Sequence, residues 1–225
     1  MPEKSSVFDM IGPVMIGPSS SHTAGVVRIA RVALRLLGGL PEEAEITFYN
    51  SFAGTYEGHG SDRAIIAGLM DFRTDDKRIK DALQLAKEKG LIYRFKSVGN
   101  ASTLHPNTIK LNLKRAGSTL EVIGESRGGG MINIAEVNGF KADFGANLHS
   151  LIITASDVKG SIAFIADVLA HDECNIATMA VSRKGKNDVA CLVIEMDSGI
   201  KPVTLAYLQS LSWVKEITYI PDIDR

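Results

Sequence analysis

The sequence predicts a mixed α/β (α+β) fold in two domains, spanning residues 1–145 and 148–225. The chain has 225 residues, of which 45% are hydrophobic and 23% are charged, so it is long enough to bury a sizeable core. Segments with the apolar period of a strand alternate with segments of helical period in both halves. Residues 145–147 (GAN) form a short linker, after which a new order of elements begins.

Helices and strands alternate in the first domain, and this pattern predicts a mixed sheet. Residues 24–37 carry apolar side chains at helical spacing and are followed by Gly38 and Gly39, which typically end a helix. Two further helices are expected at residues 63–70 and 76–89, the second with Asp75 as its N-cap. Strands are expected at 46–52, 91–98, 108–113, 119–123, 131–137 and 140–144, with turns at 115–118 and 138–139.

The second domain is expected to follow a βαββαβ order. Its strands are predicted at residues 151–155, 175–182, 188–196 and 214–220, and its helices at 160–169 and 202–211. A hairpin turn at residues 184–187 joins the two middle strands. This order is the ferredoxin-like arrangement.

Composition and charge exclude several classes of function. The formal net charge is −1 without blocks of like charge, so the chain shows no footprint for nucleic acid or for an anionic membrane. Small molecules or other proteins are therefore the expected partners. No apolar stretch is long enough for a signal peptide or a transmembrane helix, and we expect a cytoplasmic protein.

The two cysteines, Cys174 and Cys191, lie seventeen positions apart in or beside apolar, strand-like stretches. Buried free thiols are the simplest interpretation. Two thiols at this spacing cannot hold an iron–sulfur cluster, and the chain has no His/carboxylate cluster that indicates zinc. The sequence therefore predicts no metal site within this chain.

A dense polar motif, residues 17–25 (GPSSSHTAG), comes at the start of the first helix. The first backbone N–H groups of a helix lack intrahelical partners and carry partial positive charge, so hydroxyls beside them suit a carboxylate or phosphate. The alternative is a simple N-cap formed by Ser20 or Ser21, with His22 at the surface. A cap needs one serine, and three serines followed by His-Thr favour anion binding.

A second polar motif, residues 55–62 (TYEGHGSD), lies between a strand and a helix. Glycines on either side of His59 allow a ligand to approach the backbone, and a histidine is the side chain best suited to moving protons near neutral pH. We therefore interpret His59 as functional. For Ser61 the simpler interpretation is an N-cap, with Asp62 favoured by the helix dipole.

The second domain resembles an ACT domain, a small module that often senses amino acids at the interface between two copies. The resemblance rests on the order of its elements and on residues 157–160 (DVKG) and Asn175-Ile176. It implies an allosteric ligand site at Gly160, Asn175 and Ile176, and self-association through this domain. Lys159 stands where the family commonly has Pro. A domain that only dimerises is the alternative.

The first domain resembles the β portion of iron–sulfur-dependent L-serine dehydratases. Four motifs carry the resemblance in order: residues 19–23 (SSSHT), 58–62 (GHGSD), 105–108 (HPNT) and 126–130 (SRGGG). With the ACT-like tail, the resemblance fits the separate β subunit of the two-chain type. Ser61 and Glu57 depart from the residues that the family often has.

The resemblance implies a lyase that converts L-serine to pyruvate and ammonia. Removing an α-proton and expelling hydroxide requires a base, a group that binds the carboxylate, and a Lewis acid. His59 is the predicted base. The predicted substrate-binding residues are Ser19, Ser20, Ser21, His22, Thr23, Thr55, Asp62, His105, Asn107, Thr108, Ser126 and Gly128.

The resemblance also implies a cofactor that this chain does not hold. The Lewis acid would be an open iron of a [4Fe-4S] cluster, ligated by cysteines of a partner α subunit. Whether a monovalent cation assists stays open at this stage. So do the roles of His22 and His105, since residues 105–108 taken alone predict a local turn.

Two other functions compete with this interpretation. A non-enzymatic amino-acid sensor would combine an anion-binding domain with an ACT domain, because the first half is also similar to the regulatory substrate-binding domain of some phosphoglycerate dehydrogenases. A sensor does not need His59 and its glycines. A subunit that only supports assembly of its partner is the third class, and the four polar motifs argue against it. The single Trp213 is expected to pack in a core or an interface.

Overall fold

The computed structural model describes residues 13–100, 103–186 and 188–223. The chain divides into two compact units, Met1–Asn138 and Gly139–Arg225. Helices and strands are mixed in the first unit and again in the second, which confirms the predicted α/β class.

The described residues of the first unit form four α-helices and two short turns of other helical types. A wide π-type turn, Ser20–Ala24, leads directly into α1, so the predicted first helix is confirmed. Gly38, in a left-handed conformation, ends α1 as predicted. The elements are α1 Gly25–Leu37, α2 Ser51–Thr55, α3 Ser61–Leu69, a 3-10 turn Lys77–Asp81, and α4 Ala82–Glu88.

The strands of the first unit lie in the order β2-β1-β3-β4-β5. β1 pairs in parallel with β2, whereas the pairs β1–β3, β3–β4 and β4–β5 are antiparallel, so the sheet is mixed as predicted. The strands are β1 Glu43–Tyr49, β2 Ile92–Val98, β3 Thr108–Arg115, β4 Ser118–Gly128 and β5 Met131–Val137.

Helix α1 lies at the centre of this unit, packed against α3 and against β4. Two glycines allow this close approach. A Cβ added to Gly68 of α3 would lie 2.4 Å from the Val27 carbonyl oxygen, and one added to Gly124 of β4 would lie 2.6 Å from Ile29 Cγ2. The core that positions the site therefore depends on small residues where the three elements meet.

The strand predicted at residues 46–52 ends early, at Tyr49. Asn50 has a φ of 52°, which breaks the extended backbone, and the helix α2 begins at the next residue. The Asn50 side chain donates hydrogen bonds to the Leu104 and His105 carbonyls. The prediction was wrong here because contacts with a distant loop outweigh the local apolar pattern.

The charged segment at residues 76–89 is also less regular than predicted. It begins as the 3-10 turn and becomes α-helical only at Ala82. The N-cap is Asp76 and not Asp75, since the Asp76 carboxylate accepts the Arg78 backbone N–H at 2.9 Å. The same carboxylate also binds the Arg78 guanidinium, which favours this cap.

The second unit has the predicted ferredoxin-like topology, with an antiparallel sheet of order β10-β7-β9-β8. Both cysteines are buried free thiols, as expected. Trp213 packs partly buried against the core cluster of this unit. The elements are β6 Phe140–Phe144, β7 His149–Ser156, α5 Ser161–His171, β8 Ile176–Arg183, β9 Val189–Met196, α6 Pro202–Gln209 and β10 Val214–Ile220.

No helix in the described ranges is both long enough and apolar enough to cross a membrane.

Candidate active site

The wide turn Ser20–Ala24 fixes the backbone of the predicted SSSHT motif. At its C-terminal end, a hydrogen bond runs from the Gly25 N–H to the Ser20 carbonyl, one residue farther than in an α-helix. The Ser126 hydroxyl donates to the Ser21 carbonyl, and the Ser61 hydroxyl donates to the His22 carbonyl, each at 2.8 Å. Side chains from β4 and α3 thus hold the turn in place.

Ser61 and Ser126 fix the backbone of the site through hydrogen bonds and are not exposed at its surface. Ser61 and Ser126 are both 0% exposed. Ser61 is the first residue of α3 and Gly60 is its N-cap, so the predicted capping role of Ser61 is wrong. Gly25 leaves room for Ser126, because a Cβ added to Gly25 would lie 2.1 Å from Ser126 Oγ.

The hydrogen bonds of His22 define its tautomer. The single hydroxyl proton of Thr55 goes to the Ser51 carbonyl at 2.7 Å, so Thr55 Oγ1 accepts from His22 Nε2 at 3.1 Å. In the neutral ring, Nδ1 then keeps its lone pair and accepts from the Ser19 hydroxyl at 3.2 Å. Ser19 Oγ also accepts the His22 backbone N–H at 3.2 Å. Hydrogen bonds at both ring nitrogens therefore fix the orientation of the His22 imidazole.

His22 lies between two other rings. Its centroid is 4.8 Å from that of Phe52 and 4.6 Å from that of His59, both in edge-to-face geometry. Burial lowers the pKa of His22 below its ordinary value of 6.5, and the charge of His59 lowers it further. The neutral ring of His22 therefore forms one wall of the space around His59.

His59 occupies the turn before α3 and is half-buried. Its backbone N–H donates to the Thr55 carbonyl at 3.0 Å. Gly60 follows with a φ of 72°, a left-handed conformation that suits glycine. The ring atom Nδ1 of His59 is out of contact with solvent and has no hydrogen-bond partner among the described residues.

His59 and Thr23 line one pocket of about 310 Å³, a volume that suits a small molecule. Thr23 is 2% exposed, and its hydroxyl has no hydrogen-bond partner in the described part of the chain. Such a buried orphan group is uncommon and indicates a ligand or a bound water. The structure therefore brings two of the predicted site residues to a single pocket with unsatisfied polar atoms.

Ser20 and Ser21 are half-buried at the same turn. Ser21 faces the loop after β4, since a Cβ added to Gly128 would lie 3.9 Å from Ser21 Oγ. Gly128, Gly129 and Gly130 have successive φ values of 98°, 59° and 81°. Three left-handed residues in a row require glycine.

The third predicted motif forms a turn next to Ser126. The His105 ring accepts the Asn107 backbone N–H at Nδ1 (3.1 Å), and the Thr108 hydroxyl donates to the His105 carbonyl at 2.8 Å. Asn107 Nδ2 donates to the Ser126 carbonyl at 3.4 Å. Thr108 is fully buried. This motif thus supports β4, the strand that carries Ser126, as a local turn would.

Asp62 faces a different environment from His59. It does not line the 310 Å³ pocket, and the pKa values of Tyr56 and Tyr93 are raised first by burial and further by the charge of Asp62. Burial raises the pKa of Asp62 itself, against the effect of backbone N–H bonds to the carboxylate.

The predicted allosteric residues lie in the second unit. Gly160 is an exposed left-handed N-cap of α5 with a φ of 85°, and no atom lies within 4 Å of a Cβ built there. Asn175 Nδ2 donates to Asp197 Oδ2 at 2.5 Å. Ile176 is half-buried at the start of β8. Gly160 therefore leaves open space in which a ligand could approach the backbone.

The cysteines do not form a cluster site. Burial raises the pKa of Cys191 to about 11 and also raises that of Cys174, so both favour the neutral thiol over the thiolate that iron binds. Within the described ranges, no group of three or more His, Cys, Asp or Glu side chains could hold a metal ion. The residues of this chain therefore do not fit an iron–sulfur cluster.

Three charged residues line the pocket but are not among the site residues that the sequence predicts: Glu57, Arg63 and Lys80. The sequence marks Glu57 only as a departure from a family pattern. Lys80 belongs to a charged segment that reads as a solvated helix face, and Arg63 lies at the start of a helix. The position of Arg63 two residues after the start of α3, close in sequence to His59, is the one signal that could have indicated it.

Comparison with known proteins supports one assignment. The family described as serine dehydratase beta chain matches residues 6–136. A probable L-serine dehydratase beta chain of Bacillus subtilis is 47% identical over 217 residues, which cover 96% of this chain and 98% of that protein. The L-serine dehydratase beta chain of Peptoniphilus asaccharolyticus is 34% identical and covers 95% of each. An ACT domain of a GTP pyrophosphokinase from Chlorobium tepidum covers 32% of this chain, with 17% identity and a TM-score of 0.26.

The pKa of His22 provides a test of this geometry. We expect the imidazole NMR signal of His22 to titrate below 6.5, and His59→Asn to move that pKa upward without restoring 6.5, because burial remains. A folded pKa below the unfolded value means that the stability from neutral His22 is complete above pH 6.5 and is lost as pH falls through the folded pKa. His171→Asn, at an exposed position, is the control. A His22 pKa that does not respond to His59→Asn would contradict the ring contact.

Proposed function

This chain belongs to the serine dehydratase beta-chain family, and we propose that its candidate active site takes part in converting L-serine to pyruvate and ammonia. The observation that carries the proposal is the pocket in which His59 and the buried orphan hydroxyl of Thr23 meet. A non-catalytic amino-acid sensor, the alternative, is not favoured, because the similarity to serine dehydratase beta chains extends over nearly the whole chain.

We assign His59 the role of general base. Its Nδ1 atom is out of solvent contact, so in the neutral ring we place the resident proton on Nδ1 and leave the Nε2 lone pair for the α-proton of serine. His22 is kept neutral by burial and stands beside His59. A neutral His22 places no second positive charge beside the ring that is proposed to receive the α-proton, 4.6 Å away.

The wide turn provides polar groups to bind and orient the substrate. Ser20 and Ser21 project from a backbone that Ser61 and Ser126 hold rigidly by hydrogen bonds. We propose that these two hydroxyls contact the substrate carboxylate and that His105, Asn107 and Thr108 act through the position of Ser126. Ser19 and Thr55 act through His22 in the same way.

The remaining requirement is a Lewis acid for the departing hydroxyl, which this chain does not supply. Its two thiols are buried, protonated and too few for a cluster. We propose that a [4Fe-4S] cluster is held by a cysteine-containing α chain and that the active enzyme contains both chains. A monovalent cation requirement is best measured on that assembled enzyme.

Reconstitution tests the proposed function. The chain purified alone under argon should be inactive and should lack the broad visible absorption of an iron–sulfur cluster, because its two thiols cannot ligate one. Co-expressed with the α chain, it should form pyruvate from L-serine in an anaerobic assay. A stoichiometric cluster in this chain alone would contradict the assignment, and so would an assembled complex without L-serine dehydratase activity.

The role of His59 has its own test in the assembled enzyme. His59→Asn should lower kcat by about a hundredfold or more, the usual scale for losing a general base, while assembly with the partner is retained. His171→Asn replaces an exposed histidine of the second unit and should leave kcat unchanged. A near-normal kcat for His59→Asn would remove His59 from the mechanism.

We propose further that the second unit self-associates and binds a small amino acid, with L-serine as the first candidate. Strand β8 is an edge strand of its sheet, and Val181 on this strand is 45% exposed. An exposed apolar edge favours pairing with a second copy. Gly160 and Asn175 would lie at the ligand site that such pairing creates, and a ligand would affect activity only if it bound one state of the assembly better than another.

Two valines of the second unit distinguish edge pairing from other contacts. Val181→Lys should weaken self-association of the full chain, because it places a charge on the edge strand. Val203→Lys alters a valine that is 73% exposed on α6, and this variant should not weaken self-association. Sedimentation velocity with and without L-serine gives both readouts. A chain that is monomeric under all conditions and whose calorimetric titration with L-serine shows no heat would contradict this proposal.

A further inference from the structure

The pocket that holds His59 and Thr23 is also lined by three charged side chains: Glu57, Arg63 and Lys80. Arg63 and Glu57 come from either side of the turn around His59, and Lys80 comes from the 3-10 turn Lys77–Asp81. Two cations and one carboxylate therefore face a space of about 310 Å³ beside the proposed base.

Arg63, Lys80 and Glu57 form no salt bridge in the described part of the chain, and the Tyr56 hydroxyl donates to Glu57 Oε1 at 3.1 Å. No described carboxylate lies within 4.0 Å of the cationic group of Arg63 or Lys80, and no described cation lies within that distance of Glu57. Two nearby arginines behave differently, since Arg73 pairs with Asp75 and Arg78 pairs with Asp76. Glu57, Arg63 and Lys80 are exposed, and all three line the pocket without forming a salt bridge among the described residues.

We propose that Arg63 and Lys80 bind the carboxylate of a zwitterionic amino acid and that Glu57 binds its ammonium group. Paired cations are well suited to a carboxylate, and an ionised glutamate accepts hydrogen bonds from an ammonium. The identity of that amino acid as L-serine rests on the proposed function. Arg63 and Lys80 would bind this carboxylate together with the Ser20 and Ser21 hydroxyls proposed above to contact it.

The buried hydroxyl of Thr23 adds selectivity to this arrangement. Thr23 lines the same pocket and is 2% exposed, and its hydroxyl has no hydrogen-bond partner among the described groups. A substrate hydroxyl can satisfy it, whereas an apolar side chain of the same size leaves it unpaired at a cost in affinity. Ile16 and Ile79 add apolar surface to the same pocket.

Two probes separate the carboxylate and ammonium contacts. 3-Hydroxypropanoate keeps the carboxylate and hydroxyl of serine but lacks the ammonium, and L-serinamide keeps the ammonium and hydroxyl but lacks the carboxylate. Each is titrated into the full chain, and binding is followed by the imidazole NMR signals of His59, identified by their loss in His59→Asn. The same probes are then used as competitive inhibitors of the assembled enzyme.

Arg63→Gln and Lys80→Gln should each weaken 3-hydroxypropanoate binding roughly ten- to a hundredfold, the range for losing a charge-assisted hydrogen bond, and leave L-serinamide within about twofold. Glu57→Gln should show the reverse pattern. Lys77→Gln removes the same charge from the same turn at a residue that does not line the pocket, and it should change neither probe.

The proposal would be overturned if 3-hydroxypropanoate bound equally well to Arg63→Gln, Lys80→Gln and Lys77→Gln. It would also be overturned if neither probe showed saturable binding to the unmodified chain. Failure of the proposed function is a separate result. In that case the charge-dependent binding pattern persists in the full chain, while the assembled complex forms no pyruvate from L-serine.

Discussion

The site depends on one departure from regular helix geometry, the widened turn Ser20–Ala24. In this widened turn, the Ser21 carbonyl accepts a hydrogen bond from the buried hydroxyl of Ser126 on β4. The His22 carbonyl accepts one from the buried hydroxyl of Ser61 on α3. A buried hydroxyl without a partner costs about 1–3 kcal/mol, so each of these bonds favours the wide turn over a regular one. The turn, the strand and the second helix are therefore positioned together, and the polar motif cannot shift without breaking buried hydrogen bonds.

That rigidity determines the electrostatics of the pocket. His22 is oriented from both ring nitrogens by Ser19 and Thr55, so its ring meets His59 edge to face and not through a shared proton. Burial lowers the pKa of His22 and so favours its neutral form. His22 thus serves as a fixed wall beside His59, although the two rings are adjacent in space.

Much of this architecture could be predicted from the sequence, because apolar periods and glycine turns are local signals. The helix at residues 24–37, the hairpins and the βαββαβ order of the second unit are examples. The failures came from long-range contacts. Asn50 bonds to Leu104 and ends a strand early, and Ser61 donates to His22 across 39 positions and so is not a cap. The dense polar motif around His22 can be identified as a candidate site from the sequence. Arg63 and Lys80 cannot, because in the sequence they are typical of solvated charges on a helix, and only the fold shows that both line one pocket.

The single tryptophan has a practical consequence for spectroscopy. Trp213 lies in the second unit, where its ring meets Phe164 edge to face at 6.2 Å and packs against the core cluster. Indole emission from this chain therefore reports on the ferredoxin-like unit alone, and the unit that holds His22 and His59 contributes only tyrosine emission. Selective excitation of the indole gives a built-in signal for events in one half of the molecule, without a dye or an added label.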